Sequence, residues 1–221
     1  SALSLEISSD SRIKDLFSIF IKGWLDDFKQ PKYRIQLNNA IQRNANSIIV
    51  DYTDLSKYNS DLAAITIKDP IKYLDMFNKV ALEFLKEEDP EYAKKVEKHF
   101  LVRLRNLPEK NSLRKLDVNF LAKFVAVTGV VVRVSEVKPF LIEAAWKCPK
   151  GHMNYIVQKD ERTIKKPEKC GECDETEFFT FDGLKSTYIN FQVLRIQELP
   201  EELPPGQLPR QLDIRIYGDI V

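Results

Sequence analysis

Glycine is scarce in this chain, at seven of 221 residues, and no stretch of it builds a phosphate-binding loop. Gly183-Leu-Lys-Ser-Thr187 ends like such a loop, but Phe178 stands five residues before Gly183, where the first glycine belongs. Neither H-E-x-x-H nor G-x-S-x-G occurs. Cysteine is scarcer still, at three, a number that cannot pair completely and so argues against a disulfide-stapled secreted module. No apolar run approaches the roughly 20 residues that span a bilayer. The first ten residues, Ser1–Asp10, lack the basic start and apolar stretch of a secretory signal. Charge of one sign is missing as well: 34 basic residues face 33 acidic ones, which speaks against a protein held to nucleic acid by bulk charge. These absences leave a soluble, intracellular globular protein as the expectation. At 43% hydrophobic residues, the chain is long enough to bury a real core.

What is present changes character halfway. In the first half, Ile13, Leu16, Phe17, Phe20, Ile21, Trp24, Leu25 and Phe28 recur at steps of three and four. They predict a helix from about Ser11 to Phe28, capped by Ser9 or Ser11. A second helix is expected at about Tyr33–Arg43 and a short strand at Ser47–Tyr52. Asp69-Pro70 and Asp89-Pro90 each open a further helix, with proline in the first turn. Phe100–Leu104 alternates as a strand. From Phe124 the sequence turns to β-branched residues, and Phe124–Val137 carries a glycine that suggests a bend or bulge. Phe140–Trp146, Ser186–Gln197 and Leu212–Tyr217 continue the strand pattern. Of the aromatics Tyr188 and Phe191, on opposite faces of one strand, one is expected in the core and the other is able to stack on a base. Glu198–Pro209 contains four prolines and reads as a long, stiff loop.

Local charge is less even than the total. Ser112–Lys150 holds seven basic and three acidic residues, whereas Glu172–Asp182 holds five acidic residues and no basic one. All three cysteines lie within the same 26 residues as one of the two histidines. Cys148-Pro-Lys-Gly-His152 and Cys170-Gly-Glu-Cys173 are two ligand pairs separated by 17 residues. Tetrahedral zinc takes four thiolate or imidazole ligands from two such turns. Cys148, His152, Cys170 and Cys173 therefore predict a closed, structural Zn2+ site with no position left for water. Its insert, 146–181, is expected to be a zinc ribbon of two short hairpins. Strands before and after it suggest a small barrel, with an OB-fold as the leading candidate. The expected fold class is α+β with several subdomains: a helical bundle at 1–111, an OB-fold barrel split between 112–145 and 182–221, and the ribbon between them. His99 stands alone beside an apolar strand and reads as structural.

Three stretches carry a resemblance. Val127–Pro139, Lys185–Gln192 and above all the proline-rich run Gln197–Arg210, together with the zinc cluster, are similar to the N-terminal region of the MCM replicative helicases. The resemblance extends over essentially the whole chain and looks archaeal rather than eukaryotic. It implies a homohexameric ring, or a pair of such rings, that encircles single- or double-stranded DNA and works with other replication factors away from membranes. It also implies a C-terminal AAA+ domain, the user of ATP and Mg2+, beyond these residues, and a barrel whose last strands follow Val221. The implied location is the archaeal nucleoid, or the nucleus in a eukaryote. By position, Arg133 and Lys138 match the strand pair that family members use for single-stranded DNA, with Lys123, Lys185 and Arg195 as further cations. The run from Gln197 matches the loop that communicates with the motor, with Glu198, Glu201, Glu202 and Arg210 as its charged members. His152 departs from the all-cysteine versions of the metal site. The competing reading is a zinc-ribbon and helical protein-interaction module with little DNA binding of its own.

Overall fold

The computed structural model describes residues 9–159 and 162–221. The sequence reading of the extreme N-terminus, residues 1–8, lies outside them. The chain divides into two compact units. One runs up to Val132 and takes in Ile196–Leu212; the other is Arg133–Arg195 with Asp213–Val221.

Among the described residues, six α-helices build the first unit: α1 (Asp10–Gly23), α2 (Lys32–Arg43), α3 (Tyr52–Tyr58), α4 (Ser60–Lys68), α5 (Pro70–Glu88) and α6 (Pro90–Val96). Their starts are written in short polar side chains. Ser9, Asp51, Asn59, Asp69 and Asp89 each accept a backbone N–H from the first turn of the helix that follows, satisfying a donor that has no partner within the helix. The apolar faces meet in one core. Phe17 and Phe77 stack at 4.1 Å, and Phe20 packs against Tyr33 at 5.0 Å. Tyr33 is fully buried, and its hydroxyl is not wasted: it donates to Asp54 at 2.6 Å and accepts the Asp51 N–H at 3.0 Å. A parallel pair, β1 (Ser47–Asp51) and β2 (Leu101–Arg105), lies beside the helices, in register from Ser47 with Leu101.

Two expectations need correction here. The first helix ends at Gly23 rather than Phe28: the Trp24 N–H closes the last turn on Phe20, and Leu25 bridges to Pro31. Phe28 is consequently exposed. Helices α3 and α4 add to the expected set; at seven and nine residues, each is too short for its periodicity to stand out in the sequence.

The β-rich part has strands β3 (Lys110–Ser112), β4 (Ala126–Thr128), β5 (Val130–Val134), β6 (Lys138–Lys147), β7 (Met153–Val157), β8 (Thr180–Gln197) and β9 (Gln211–Tyr217). β3 and β4 pair in parallel. The others form a five-stranded sheet in the order β5-β8-β6-β7, with β9 also on β8. The sheet is of the open kind: among the described residues it does not close into a barrel. Every residue of β5 is exposed, including Val130, Val132 and Val134, the row that a closed barrel would bury.

The strand expected over Phe124–Val137, with a bend or bulge at its glycine, is interrupted at Gly129, where another segment of the chain comes close. A Cβ at Gly129 would sit 2.9 Å from the Gln197 carbonyl oxygen and 3.3 Å from the Ile196 side chain. Gly129→Ala is thus expected to destabilise the protein by about 1–3 kcal/mol, as overpacking against fixed backbone does. Urea denaturation of the variant checks this.

Candidate metal centre and nucleic-acid face

β6 delivers Cys148 at its C-terminal end. A tight turn then reverses the chain, with the Gly151 N–H on the Cys148 carbonyl (2.9 Å) and the Cys148 N–H on the His152 carbonyl (3.0 Å). Gly151 sits at φ +92°, a conformation that favours glycine. β7 returns antiparallel to β6, from Lys147 opposite Met153 to Glu143 opposite Val157. The second pair, Cys170 and Cys173, sits on a loop rather than on the second hairpin expected from the sequence; no strand lies between Cys170 and Phe179. Here the backbone is tied by turns, with the Cys170 N–H on the Glu175 carbonyl at 2.9 Å.

Asn154 on β7 joins the two pairs. Its carbonyl oxygen accepts the Gly171 N–H at 2.8 Å, and its amide points at Cys170 Sγ at 3.4 Å. Nothing in the spacing of the ligands singles this residue out. The returning segment is held by Gln158, which is buried and fully used: its amide donates to the Ile156 and Lys165 carbonyls, and its oxygen accepts the Lys165 N–H. The Trp146 indole also donates to the Lys165 carbonyl, at 3.1 Å.

The four side chains converge. One ligand atom from each of Cys148, His152, Cys170 and Cys173 lies within 4.8 Å of the others. Cys148 Sγ is 3.5 Å from His152 Nδ1 and 3.9 Å from Cys173 Sγ, and Cys170 Sγ is 3.9 Å from His152 Nδ1. Ligands at about 2.3 Å (sulfur) and 2.0 Å (nitrogen) from a tetrahedral ion stand about 3.5–3.8 Å apart, so the set fits zinc. Bound there, a tetrahedral ion would have all four positions filled by protein ligands, leaving none for a reactive water. The local backbone favours thiolate. The Glu172 N–H, then the Asn154 amide, bring the Cys170 thiol down to about 6. At Cys173 the Glu175 N–H pulls the same way, but burial and the neighbouring sulfurs outweigh it and the net direction is up.

The cations sort into different places. Arg133 and Lys138 are exposed in the second unit, as is the backbone around them. Lys138 stands opposite Phe191 in the β6–β8 pairing, and Phe191 packs with Phe140 and Tyr217 at 5–6 Å between ring centres. Phe191 is thus the clustered aromatic, and Tyr188 on the other face is 43% exposed. Arg195 already has an ionic partner. Its guanidinium is held bidentate by Asp213, Nε to Oδ1 at 2.6 Å and Nη2 to Oδ2 at 3.0 Å. Lys185 lies ten residues before Arg195, in the irregular part of β8. Lys123 belongs to the first unit, where it lines an apolar cavity with Leu107, Phe120 and Phe124.

The proline-rich loop is anchored from one residue. Glu198 is buried, and its carboxylate takes the Arg114 guanidinium in a fork, Nε–Oε1 2.7 Å and Nη2–Oε2 2.8 Å. Arg114 also reaches Gln207 at 2.6 Å and the Leu208 carbonyl at 3.4 Å, so one side chain grips both arms of the loop. The Glu198 N–H donates to the Arg210 carbonyl, and the Arg210 side chain donates to the Arg114 carbonyl. Only a three-residue turn, Pro200–Glu202, is regular within the loop; Glu201 and Glu202 are exposed. Gln197 pairs with Gln211 at 3.0 Å.

A helical unit, then a β-domain of OB type interrupted by a Cys/His cluster able to hold a metal ion, defines a class of replication protein. The chain belongs to the MCM family: the MCM N-terminal domain matches residues 14–106 and the MCM OB domain residues 112–221. It is 30% identical to the DNA replication licensing factor Mcm2 of Drosophila melanogaster over 95% of its own length and 24% of that protein. It is 29% identical to the minichromosome maintenance protein MCM of Saccharolobus solfataricus, over 94% of this chain and 31% of the relative. The licensing factor mcm-6 of Caenorhabditis briggsae is 29% identical over the full chain and 28% of its own length. The chain therefore spans about a quarter to a third of these relatives. Archaeal and eukaryotic relatives match it equally well, so the archaeal look of the sequence gains no support from identity. Among the described residues no helix is long and apolar enough to cross a membrane.

Proposed function

We propose that this chain is the DNA-gripping and ring-assembly tier of a hexameric MCM helicase. The helical subdomain (1–111), the OB domain (112–145 with 182–221) and the zinc insert (146–181) act as its parts. The observation that carries this reading is the exposure of Arg133 and Lys138 in one unit of an OB-type sheet, with Lys138 opposite Phe191 of the Phe140–Phe191–Tyr217 cluster. Long cations neutralise phosphates and aromatic rings accept bases, with no sequence read. The Cys148–His152–Cys170–Cys173 set holds Zn2+ as a structural ion. The Arg114-anchored loop from Gln197 to Arg210 couples this tier to an AAA+ motor elsewhere in the parent protein, where ATP and Mg2+ act. This chain itself carries out no chemistry.

The test is direct. Replacing Arg133 and Lys138 together with Ala should weaken binding to a fluorescent oligo(dT) at least ten-fold at low salt. It should also flatten the plot of log affinity against log salt by about 1.4, near 0.7 for each phosphate that is no longer neutralised. Both side chains are exposed, so the melting temperature should stay put. Unchanged affinity and slope would remove them from the site. Arg195 being held by Asp213 favours a second reading, an interaction module that touches DNA feebly. Failure of the unaltered chain to bind oligo(dT) at low salt would select it.

A further inference from the structure

On the DNA-facing sheet, Asp213 has no place in the reading above, yet it stands at the centre of the arginines. Residues 191 and 195 on β8, and 213 and 217 on β9, are spaced by four and share one face, as the Phe191–Tyr217 ring contact and the Arg195–Asp213 pair both require. A small cavity of about 180 Å³ opens on that face, lined by Arg133, Ser135, Val193, Arg195 and Asp213. Ser135 brings no free group to it: its hydroxyl donates to the Glu136 carbonyl and accepts the Val193 N–H. The cavity is thus a slot with two guanidinium groups and one carboxylate. The carboxylate fills the fork of Arg195, while Arg133 makes no ion pair of its own among the described residues. Arg215 follows two residues along β9, and its charge and that of Arg133 both act on the Asp213 carboxyl.

A guanidinium fork takes a carboxylate and a phosphate in the same bidentate geometry. Both partners here are substantially exposed, 38% for Arg195 and 49% for Asp213, so solvent screens the pair and it opens at little cost. We propose that Asp213 is an internal stand-in for a backbone phosphate of single-stranded DNA: it occupies the Arg195 fork in the free protein and gives it up when the strand enters the slot beside Arg133. Binding at this point is an exchange of one anion for another, and Asp213 sets how weakly the tier holds DNA. A motor-driven ring has to release each phosphate it passes, and a built-in competitor supplies that release. This inference rests on the DNA-binding reading above and adds a residue that tunes it.

The experiment uses the whole 221-residue chain and a fluorescent oligo(dT), with affinity measured from about 50 to 300 mM salt. Asp213→Asn keeps the shape and removes the charge. It should bind about three- to ten-fold more tightly at the lowest salt, with the salt plot steeper by about 0.7, and melt within about 2 °C of the unaltered chain. Asp213→Ser should behave alike, which covers the event that one variant folds poorly. Asp213→Asn combined with Arg195→Met should lose the gain, and Glu177→Gln, which removes an equal charge from an exposed position on the insert, should leave affinity within about two-fold. If the unaltered chain binds and both Asp213 variants bind no more tightly, the stand-in role is wrong while the DNA reading survives. A gain matched by Glu177→Gln also overturns it, since bulk charge then explains the effect. If the unaltered chain does not bind, the DNA reading falls and the stand-in role, which rests on it, falls with it, whatever the variants do.

Discussion

Removing the metal is expected to unfold the insert from Trp146 to about Phe181 while the helical core keeps its structure. Between Cys148 and Thr180, only Cys148, Gln158, Pro167 and Cys170 are buried among the described residues. Such a segment has no apolar core to set against the entropy of ordering its chain. A bound metal would supply what the core lacks: binding of a structural zinc contributes on the order of 10–16 kcal/mol at neutral pH in small domains. A strong chelator should therefore abolish hydrogen-exchange protection at Asn154–Val157 and Gly171. The amides of Val80–Leu85, deep in α5, should stay protected. Trp146 offers an optical readout, because its indole donates to Lys165 in the segment that would be released. Cys170→Ser should reproduce the effect without chelator, and His152→Cys should preserve metal binding, since zinc accepts thiolate in place of imidazole. The prepared protein should carry about one metal per chain. A metal-free chain with the insert still protected would sink the structural-zinc reading.

Why the cluster is legible in the sequence and its supports are not is a matter of range. Two ligand pairs, each inside five residues, declare themselves through spacing alone, and the turn glycine Gly151 sits where the spacing demands it. Asn154, Gln158 and Trp146 hold the pairs together through bonds to backbone groups 17, 7 and 19 residues away. Bonds of that kind leave no periodic trace. The same holds for the helices. The long amphipathic faces of α1 and α5 can be read, whereas α3 and α4 depend on the caps Asp51 and Asn59 and on tertiary packing. Charge is the least legible property. Arg195 counts as one cation in any composition, but Asp213, 18 residues on, neutralises it. Glu198 counts as one surface acid, yet it is buried against an arginine 84 residues earlier. Pairing across the sheet and across the loop decides which charges remain for a partner, and only the fold sets that pairing.

The second large effect should come from that buried pair. Arg114 is the sole cationic anchor of Glu198 through its side chain among the described residues, and it also carries Gln207 and Leu208. Arg114→Ala strands a buried carboxylate and frees both arms of the loop, so it should be worse than Glu198→Gln, which leaves a neutral amide able to accept one guanidinium bond. The expected order of melting temperatures is unaltered, then Glu198→Gln, then Arg114→Ala, the last lower by about 5 °C or more. A Glu-specific protease should cut at Glu201 and Glu202 roughly ten-fold faster in Arg114→Ala, because cleavage follows the population of the opened loop. Acid provides an independent check. The Arg114 bond, then the Arg210 N–H, hold the Glu198 carboxyl below its ordinary value near 4.5. A group with a depressed folded value stabilises the protein above the ordinary value and loses that contribution as pH falls through the depressed one. Stability should thus be level from pH 7 to about 5 and decline below about 4.5. In Glu198→Gln the decline should be shallower, though not absent, because Asp213 is also held low by Arg195. Equal acid sensitivity in the two proteins would show that the Glu198–Arg114 pair does not fasten the loop.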